Sequence, residues 1–248
     1  MITGASSGIG AAVAVALARA GFPVALGARR AERCEEVART IRAGGGEATA
    51  HFVDLANPTT IAPFVAAATE RLGDIEVLVA CAGQIAPARA LSTTDAALAS
   101  TVQVNLLGTL QVVTTVTSTM VARRRGDVVF VTSDAVRHPR PMMAAYSATK
   151  WALEGYARTL QMELESTGVR ASIVQPGPTR TEMGMDWGHE ITAEVLDQWV
   201  RWGQARHDHF MDPESVAAAV LTAVAAPRGT NFTMIEVNPE APVQKGTS

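Results

Sequence analysis

The chain has 248 residues, of which 48% are hydrophobic and 18% are charged, and its formal net charge at pH 7 is −3. These values are ordinary for a globular protein and exclude a disordered, fibrous or low-complexity chain. The chain has 21 basic and 24 acidic residues, so there is no basic excess. We therefore expect neither a nucleic acid nor a membrane among the partners.

Short runs of β-branched residues alternate with longer segments of helical periodicity. The strand-like runs are Met1–Thr3, Pro23–Ala28, Ala48–Val53, Glu76–Ala80, Asp127–Thr132, Val169–Gln175 and Phe232–Val237. The helix-like segments are 8–20, 31–43, 58–72, 93–124, 144–166, 192–206 and 213–226. This alternation predicts an α/β fold, a doubly wound parallel sheet of about seven strands with helices on both faces. No repeat or linker divides the chain, so we predict one domain over residues 1–248.

A glycine-rich turn, TGASSGIG at residues 3–10, joins the first strand to the first helix. Small residues let the backbone approach a pyrophosphate, and the helix N-terminus offers free N–H groups and a positive dipole end. Such a turn is typical of a Rossmann-like dinucleotide site, although its glycine spacing is G-x3-G-x-G rather than G-x-G-x-x-G. The alternative is a purely structural turn. A cofactor would contact Gly4, Ser6, Ser7, Gly8, Ile9 and Gly10.

The end of the second strand distinguishes between the two nicotinamide dinucleotides. The acidic residue that would hold the ribose 2′-hydroxyl of NAD is missing, and Ala28 stands in its place. Arg29 follows directly, and its guanidinium suits a 2′-phosphate. Arg30, the next residue, is a further expected cofactor contact. We therefore expect NADP(H) as the cofactor rather than NAD(H). The alternative is that both arginines are solvated residues at the start of a helix.

An uncharged stretch of 27 residues, Ala96–Ala122, resembles a membrane span in length. Eleven of its residues are Ser, Thr, Asn or Gln, which is a poor match to the apolar interior of a bilayer. We interpret it as a helix that is buried on most faces.

Tyr146 and Lys150 share one helical face at positions i and i+4. A cation beside a phenol favours the phenolate, so we expect Lys150 to lower the pKa of Tyr146 from about 10 and let it pass a proton near neutral pH. Ser133 ends the preceding strand at the carboxyl edge of the sheet, where its hydroxyl could bind a carbonyl oxygen. A Tyr–Lys pair by itself is more often structural.

In their order along the chain, these motifs resemble the short-chain dehydrogenase/reductase family over nearly the whole length. Asn105, Ser133, Tyr146 and Lys150 match its catalytic tetrad. Three further segments match. Asp54-Leu55 resembles the pair that contacts adenine, and Ala82-Gly83 resembles the end of an Asn-Ala-Gly motif. Pro176-Gly177, with Thr179 and Thr181, resembles the segment that touches the nicotinamide.

The resemblance implies a role for each residue of the tetrad. Tyr146 is the expected general acid in reduction and general base in oxidation, and Ser133 holds the substrate oxygen. Lys150 is expected to lower the pKa of Tyr146 and to bind the nicotinamide ribose. Tyr146 and Lys150 are therefore both expected to contact the cofactor. Asn105 is expected to order a water that feeds a proton relay to Lys150.

The sequence departs from the family pattern in three places. Cys81 replaces the motif Asn, and we interpret it as a small apolar filler. Only Met1–Thr3 represents the first strand, and whether residues upstream of Met1 complete it stays open. The C-terminal region lacks the Asp-Gly-Gly tail common in the family, so the expected homo-oligomer stays open between dimer and tetramer. We expect a symmetric dimer to form through the helices that contain Ala96–Ala122 and Tyr146.

Segment 182–212 is predicted to be a substrate lid. It contains Trp187, Trp199 and Trp202 and three of the nine methionines. Leu196, Trp199 and Val200 at i, i+3 and i+4 predict an amphipathic helix with one apolar face. We expect this face to close over a hydrophobic ketone or alcohol, although it could instead simply complete the core. His207-Asp208-His209, at its end, is interpreted as loop residues rather than a metal site.

The expected function is NADP-dependent hydride transfer between the nicotinamide and the carbonyl or secondary alcohol of a hydrophobic substrate. The alternatives are a 3-oxoacyl-thioester (acyl carrier protein) reductase and a non-catalytic NADP-binding sensor. Two cysteines without a CxxC pair, and no visible signal peptide, favour the cytoplasm. Neither the substrate nor the physiological direction follows from the sequence.

Overall fold

Seven strands form one parallel sheet in the computed structural model, which describes residues 1–184, 187–203 and 209–241. They are β1 Ile2–Thr3, β2 Val24–Ala28, β3 Ala48–Phe52, β4 Val77–Ala80, β5 Gly126–Val131, β6 Val169–Pro176 and β7 Met234–Val237. Their order across the sheet is β3-β2-β1-β4-β5-β6-β7. The predicted fold class is confirmed, and each strand begins and ends within two residues of its prediction.

Helices connect these strands. They are α1 Gly8–Arg19, α2 Ala31–Ala43, α3 Ile61–Leu72, α4 Asp95–Val102, α5 Thr109–Arg123, α6 Ala144–Glu163, α7 His189–Arg201 and α8 Pro213–Ala225. The segment predicted as one helix at 93–124 is α4 and α5 joined by a π-helical turn, Gln103–Gly108. The helix predicted at 192–206 begins earlier, at His189, and ends at Arg201.

The core lies on both faces of the sheet, because the central strands are buried on both sides. Every residue of β2, β4 and β5 is buried, which is typical of parallel strands covered by helices on each face. One face packs against α1, α2 and α8, with Leu17 and Val220 in the cluster. The other packs against α3, α5 and α6, with Phe64 and Leu153.

The continuous helical run Asp95–Arg123 is long and apolar enough, by length and composition alone, to cross a membrane. In the structure its inner face lies in the core, where Val113, Val116 and Met120 are fully buried. A core helix satisfies the same test of length and composition. The expected burial on most faces was wrong, however, because Gln111, Thr114 and Ser118 on the outer side are exposed.

The strand order positions the functional loops. β1 lies between β2 and β4, so the chain leaves the sheet in opposite directions on either side of β1. In such sheets ligands bind at the carboxyl ends of the strands near this switch point. The loops after β1, β2, β4, β5 and β6 all begin at that edge.

Gly108 closes the π-helical turn against the loop after β3. A Cβ at this position would lie 2.2 Å from the backbone oxygen of Leu55, which cannot move away as a flexible side chain can. We therefore expect Gly108→Ala to lower the free energy of unfolding by about 1–3 kcal/mol, although alanine favours a helix.

Gly44 provides the matched control in urea unfolding. Its φ is −83°, and the nearest atom to an added Cβ is 3.4 Å away. Gly44→Ala should change stability by less than about 0.5 kcal/mol. Equal stability of the two variants would contradict the close approach at Leu55.

Candidate active site

The turn after β1 approaches the loop after β4 so closely that only glycine fits. Gly4 has φ +72°, and a Cβ there would lie 2.7 Å from Cα of Ala82. A Cβ on Gly10 would lie 2.3 Å from the oxygen of Gly4. Ser7 begins α1 and makes no side-chain capping hydrogen bond. The turn is therefore a bare backbone cradle at a helix N-terminus, which fits a pyrophosphate.

Arg30, rather than Arg29, reaches this turn. Its guanidinium donates hydrogen bonds to Oγ of Ser6 at 3.2 Å and to Oγ of Ser7 at 3.0 Å. Arg29 is exposed and makes no hydrogen bond or ion pair with the described residues. The sequence predicted Arg29 for the 2′-phosphate, but it is Arg30 whose position beside the turn supports that role.

Sequence reasoning missed two charged neighbours of Arg30. Glu182 lies across from it, with Oε2 2.9 Å from a guanidinium nitrogen of Arg30. Arg33, one helical turn further on, holds the other oxygen of Glu182 at 2.5 Å. The i, i+3 spacing of Arg30 and Arg33 was the available signal. Nothing in the sequence pointed to Glu182, which is 152 residues from Arg30.

The residues predicted to lie along the middle of the cofactor also line this edge. Asp54 turns the chain by accepting a hydrogen bond from the backbone N–H of Ala56, and the Leu55 side chain is buried in the core. The Thr3 hydroxyl accepts hydrogen bonds from the N–H groups of Cys81 and Ala82, at 3.2 and 3.3 Å. This contact fixes the loop in which Cys81 replaces the family's asparagine.

The four residues of the predicted tetrad meet at one point of this edge. Asn105, fully buried in the π-helical turn, accepts from the N–H of Gln84 at 2.8 Å and donates to Oγ1 of Thr149 at 3.2 Å. A Cβ on Gly83 would lie 3.6 Å from Asn105 and 3.7 Å from Nζ of Lys150. Gly83 therefore lies next to both the Asn105 amide oxygen and the Lys150 ammonium.

Tyr146 and Ser133 form the opposite side of the same group. Both residues are 8% exposed, and the Ser133 hydroxyl, which accepts a hydrogen bond from the N–H of Ala135 at 3.2 Å, lies close enough to Tyr146 to act on the pKa of its phenol. The Lys150 ammonium lies 5.7 Å from the centre of the Tyr146 ring and donates to the backbone oxygen of Val131 at 2.9 Å. The ammonium thus lies over the ring and is fixed to the end of β5.

Burial dominates the electrostatics of this pair and reverses the expected pKa shift of Tyr146. Burial raises the pKa of Tyr146 to about 12, although the nearby Ser133 hydroxyl and the charge of Arg140 act in the opposite direction. Burial also lowers the pKa of Lys150 to about 8. The expectation that Lys150 lowers the pKa of Tyr146 was wrong for this arrangement, because desolvation disfavours the phenolate. Tyr146 is therefore a neutral phenol, and a proton donor, near pH 7.

A buried ion pair that the sequence analysis missed adjoins this group. Arg140 binds both oxygens of Asp134, at 2.9 and 2.5 Å, and both side chains are almost fully buried. Trp199 lies over the Arg140 guanidinium, 5.4 Å from it, and donates from Nε1 to the backbone oxygen of Pro141. Asp134 raises and Arg140 lowers the pKa of Tyr146, so the pair partly balances its own effect on the phenol.

The segment after β6 lies over the glycine turn. Gly177 extends the sheet, donating its N–H to the oxygen of Val237 at 2.7 Å, and Thr179 donates to the oxygen of Gly177. The side chain of Thr181 would be 3.1 Å from a Cβ on Gly8. Pro176, Gly177, Thr179 and Thr181 therefore lie where the cofactor turn meets the end of β6.

Helix α7 lies over the catalytic group, but with a different face from the predicted one. Val195 is buried, and Trp199 packs with Tyr146, Met143 and Ala135. Leu196 and Val200, predicted to lie on the apolar face with Trp199, are 46% and 68% exposed. The inward face instead follows the i, i+4 spacing of Val195 and Trp199.

Some predicted features lie outside the described residues, including Met185 in the lid, His207 and Asp208. Among residues 1–184, 187–203 and 209–241 there is no group of three or more His, Cys, Asp or Glu that could hold a metal ion. Cys81 lies in this region, and burial raises the pKa of its thiol to about 11, so it stays a neutral thiol near pH 7.

Comparison with known proteins agrees with this geometry. The short chain dehydrogenase family profile matches residues 1–192. The chain belongs to the short-chain dehydrogenase/reductase family, and its chemistry falls within the oxidoreductases of that family.

Relatives of this short-chain dehydrogenase differ in name and length. It is 36% identical to the glycine betaine reductase ATRR of Emericella nidulans over 96% of its own length, but it spans only 18% of that relative. It is 30% identical to a 3-oxoacyl-[acyl-carrier-protein] reductase of Synechocystis, over 94% of this chain and 91% of that one. The alcohol dehydrogenase of Thermococcus sibiricus, solved with 5-hydroxy-NADP, superposes with a TM-score of 0.81 at 28% identity, over 95% of this chain and 94% of that one.

Tyr146 can be titrated directly because the chain contains two tyrosines, Tyr146 and Tyr156. In a Tyr156→Phe background, the absorbance of the phenolate at alkaline pH reports Tyr146 alone. We expect a midpoint near 12 rather than the ordinary value of about 10, and no step in the Tyr146→Phe, Tyr156→Phe double variant.

The same shift predicts a dependence of stability on pH. The folded state favours the neutral phenol, so the neutral form of Tyr146 contributes to the free energy of unfolding. This contribution is complete below about pH 10 and is lost as the pH rises towards 12. A titration midpoint near 10 in the folded protein would contradict the dominance of burial at Tyr146.

Proposed function

We propose that this chain is an NADP-dependent oxidoreductase that transfers a hydride between the nicotinamide and the carbonyl or secondary alcohol of a hydrophobic substrate. The observation that carries the proposal is a buried, neutral Tyr146 with Ser133 close to it and Lys150 over its ring, beside a glycine turn that fits a pyrophosphate. Acid–base and anion-binding groups thereby lie at one edge of the sheet.

The cofactor proposal rests on the turn and on Arg30. Gly4 and Gly10 leave the backbone open, and the N–H groups at the start of α1 would bind the pyrophosphate. Arg30, held at Ser6 and Ser7, would bind the 2′-phosphate of NADP(H). The NADP analogue in the Thermococcus alcohol dehydrogenase supports this assignment over NAD(H). When bound, the nicotinamide supplies or accepts the hydride.

The residues of the chain would handle the proton. Near neutral pH, Tyr146 would donate the phenolic proton to the carbonyl oxygen in reduction, and at alkaline pH its phenolate would accept the proton of an alcohol. Ser133 would hold the same oxygen. Lys150, with a pKa of about 8, would return a proton towards Tyr146, and Asn105 would keep the adjacent backbone of Gln84 in place.

The substrate site would be mainly apolar. Four apolar side chains pack around Tyr146: Ile85, Ala135, Met143 and Trp199. A substrate whose oxygen lies near the phenol would place its hydrophobic part against this cluster. Binding sites of this kind are mostly apolar with a few placed polar groups. We propose that segment 182–212 is a lid and that Trp199 on α7 grips the substrate.

A symmetric dimer would cover the outer faces of α5 and α6, which expose apolar side chains such as Val121, Trp151 and Met162. We propose this assembly, and we propose separately that the enzyme is cytoplasmic.

A thioester reductase is the second candidate, because the Synechocystis relative is named as a 3-oxoacyl-[acyl-carrier-protein] reductase and matches nearly the whole chain. A 3-oxoacyl thioester and a free ketone of equal chain length, compared by kcat/KM, distinguish the two. A thioester preference of tenfold or more (about 1.4 kcal/mol) would favour the second candidate.

Tyr146→Phe tests the proposed acid. We expect kcat for ketone reduction with NADPH to fall by roughly 10²–10⁴-fold, because the variant cannot donate the proton, while NADP⁺ binding by calorimetry is retained. Tyr156→Phe, which changes the other tyrosine of α6, should keep full activity. Full turnover by Tyr146→Phe would refute the assignment, and cofactor binding by the wild type without turnover of any carbonyl would favour a sensor.

A homologous ketone series tests the apolar site. Each added methylene that becomes buried should raise kcat/KM by up to about fourfold, or ~0.8 kcal/mol. Trp199→Ala should flatten this dependence because it removes the largest side chain over the cluster. A flat series in the wild type, or a preference for small charged keto acids, would rule out a hydrophobic substrate.

A further inference from the structure

One carboxylate occupies the arginine pair at the rim of the cofactor turn. Glu182 places one oxygen on Arg30 at 2.9 Å and the other on Arg33 at 2.5 Å. Arg30 simultaneously donates to Ser6 and Ser7, so Glu182 is linked through one guanidinium to the glycine turn. Two guanidiniums that share one small anion are the arrangement that also binds a phosphate.

The fold brings this carboxylate to the place where the sequence lacks an acid. The strand before Arg30 ends in Gly27-Ala28, without the Asp or Glu that would follow it in an NAD site. Glu182 comes instead from the segment after β6, directly behind Thr181, which lies over Gly8 of the turn. An acid is therefore present at the rim through space, although it is absent from the local sequence.

The carboxylate is charged and exchangeable. The two arginines lower the pKa of Glu182, so it carries a negative charge near neutral pH. The side chains of Arg30, Arg33 and Glu182 are 44%, 43% and 48% exposed, and ion pairs that are this accessible to water are weak. A dianionic phosphate that reaches the same guanidiniums can displace it, whereas a ribose hydroxyl has no charge with which to do so.

We infer that Glu182 competes with the 2′-phosphate of the cofactor for Arg30 and Arg33, and that it thereby limits the preference for NADP(H) over NAD(H). The inference rests on the proposed cofactor site. It adds two residues to that site: Arg33 as a second ligand of the 2′-phosphate, and Glu182 as a specificity-determining residue that opposes it.

Two adenine nucleotides test this without any turnover. 2′,5′-ADP carries the 2′-phosphate and 5′-ADP does not, and both are titrated into the full chain by calorimetry at one fixed ionic strength, since such charges are screened by salt. In Glu182→Gln we expect the affinity for 2′,5′-ADP to rise roughly 3- to 10-fold and that for 5′-ADP to change less than about twofold.

Two further variants control for charge and for the route of the effect. Glu190→Gln removes the same charge from an exposed position at the start of α7 and should change neither affinity. Arg33→Gln should weaken 2′,5′-ADP alone, and the gain from Glu182→Gln should shrink in the Arg33→Gln background because the two residues share one contact.

The outcomes separate the inference from the proposed function. If 5′-ADP and 2′,5′-ADP both fail to bind the wild type, the proposed cofactor site is wrong, and the inference falls with it. If both bind and Glu182→Gln leaves their affinity ratio unchanged, or weakens 2′,5′-ADP, only the role of Glu182 is overturned. A selective gain for 2′,5′-ADP that Glu190→Gln does not reproduce supports it.

Discussion

The parallel pairing of β1 with β2 on one side and β4 on the other determines where everything else in the site lies. β1 has only two residues, yet its end is the point from which the glycine turn begins. Gly4 donates its N–H to Gly27 of β2 and approaches Ala82 after β4, so the three loops are fixed to one another by backbone contacts. Without glycine at position 4 the loops could not come this close, and the anion cradle would not form.

A second constraint is the cost of burying ionisable groups at this edge. Tyr146 and Lys150 are both buried, and each is shifted towards its neutral form. The structure offsets part of this cost with the Ser133 hydroxyl near Tyr146 and with the Val131 carbonyl, which accepts a hydrogen bond from Lys150. In the buried Asp134–Arg140 pair only Arg140 acts in this direction, and Asp134 opposes it at Tyr146. A buried ion pair contributes little net stability, because desolvation cancels most of its attraction. Its consequence here is electrostatic, since both members act on the pKa of the same phenol.

The π-helical turn connects the core to the catalytic group. In this turn the hydroxyl of Thr109 bonds to the oxygen of Val104, five residues earlier, and Gly108 packs on Leu55. The wider turn places Asn105 between the Gln84 backbone and Thr149 of α6, which links two helices to the loop after β4. Irregular turns of this kind are often found inside helices at functional sites.

The sequence by itself determined the sheet, the turn and the tetrad. Periodicity placed each strand to within two residues, because parallel strands buried on both faces read as continuous apolar runs. It did not reveal the π-helical turn that divides the helix predicted at 93–124. Glycine spacing indicated the turn because its reason is local: only glycine fits a positive φ and a close backbone approach. Tyr146, Lys150, Ser133 and Asn105 were predicted from motif order, and the structure brings them together.

Only the tertiary structure decided the pKa of Tyr146, the long-range ion pair of Glu182 and the face of α7 that points inward. The pKa of Tyr146 depends on how completely the fold removes it from water, which residue spacing does not reveal. The Glu182–Arg30 contact joins residues 152 positions apart, and no local pattern specifies it. Helix α7 has apolar residues over a wide arc, so its sequence permitted either face, and packing against Tyr146 selected Val195 and Trp199. Local sequence encodes backbone geometry, whereas burial and long-range charge are properties of the assembled fold.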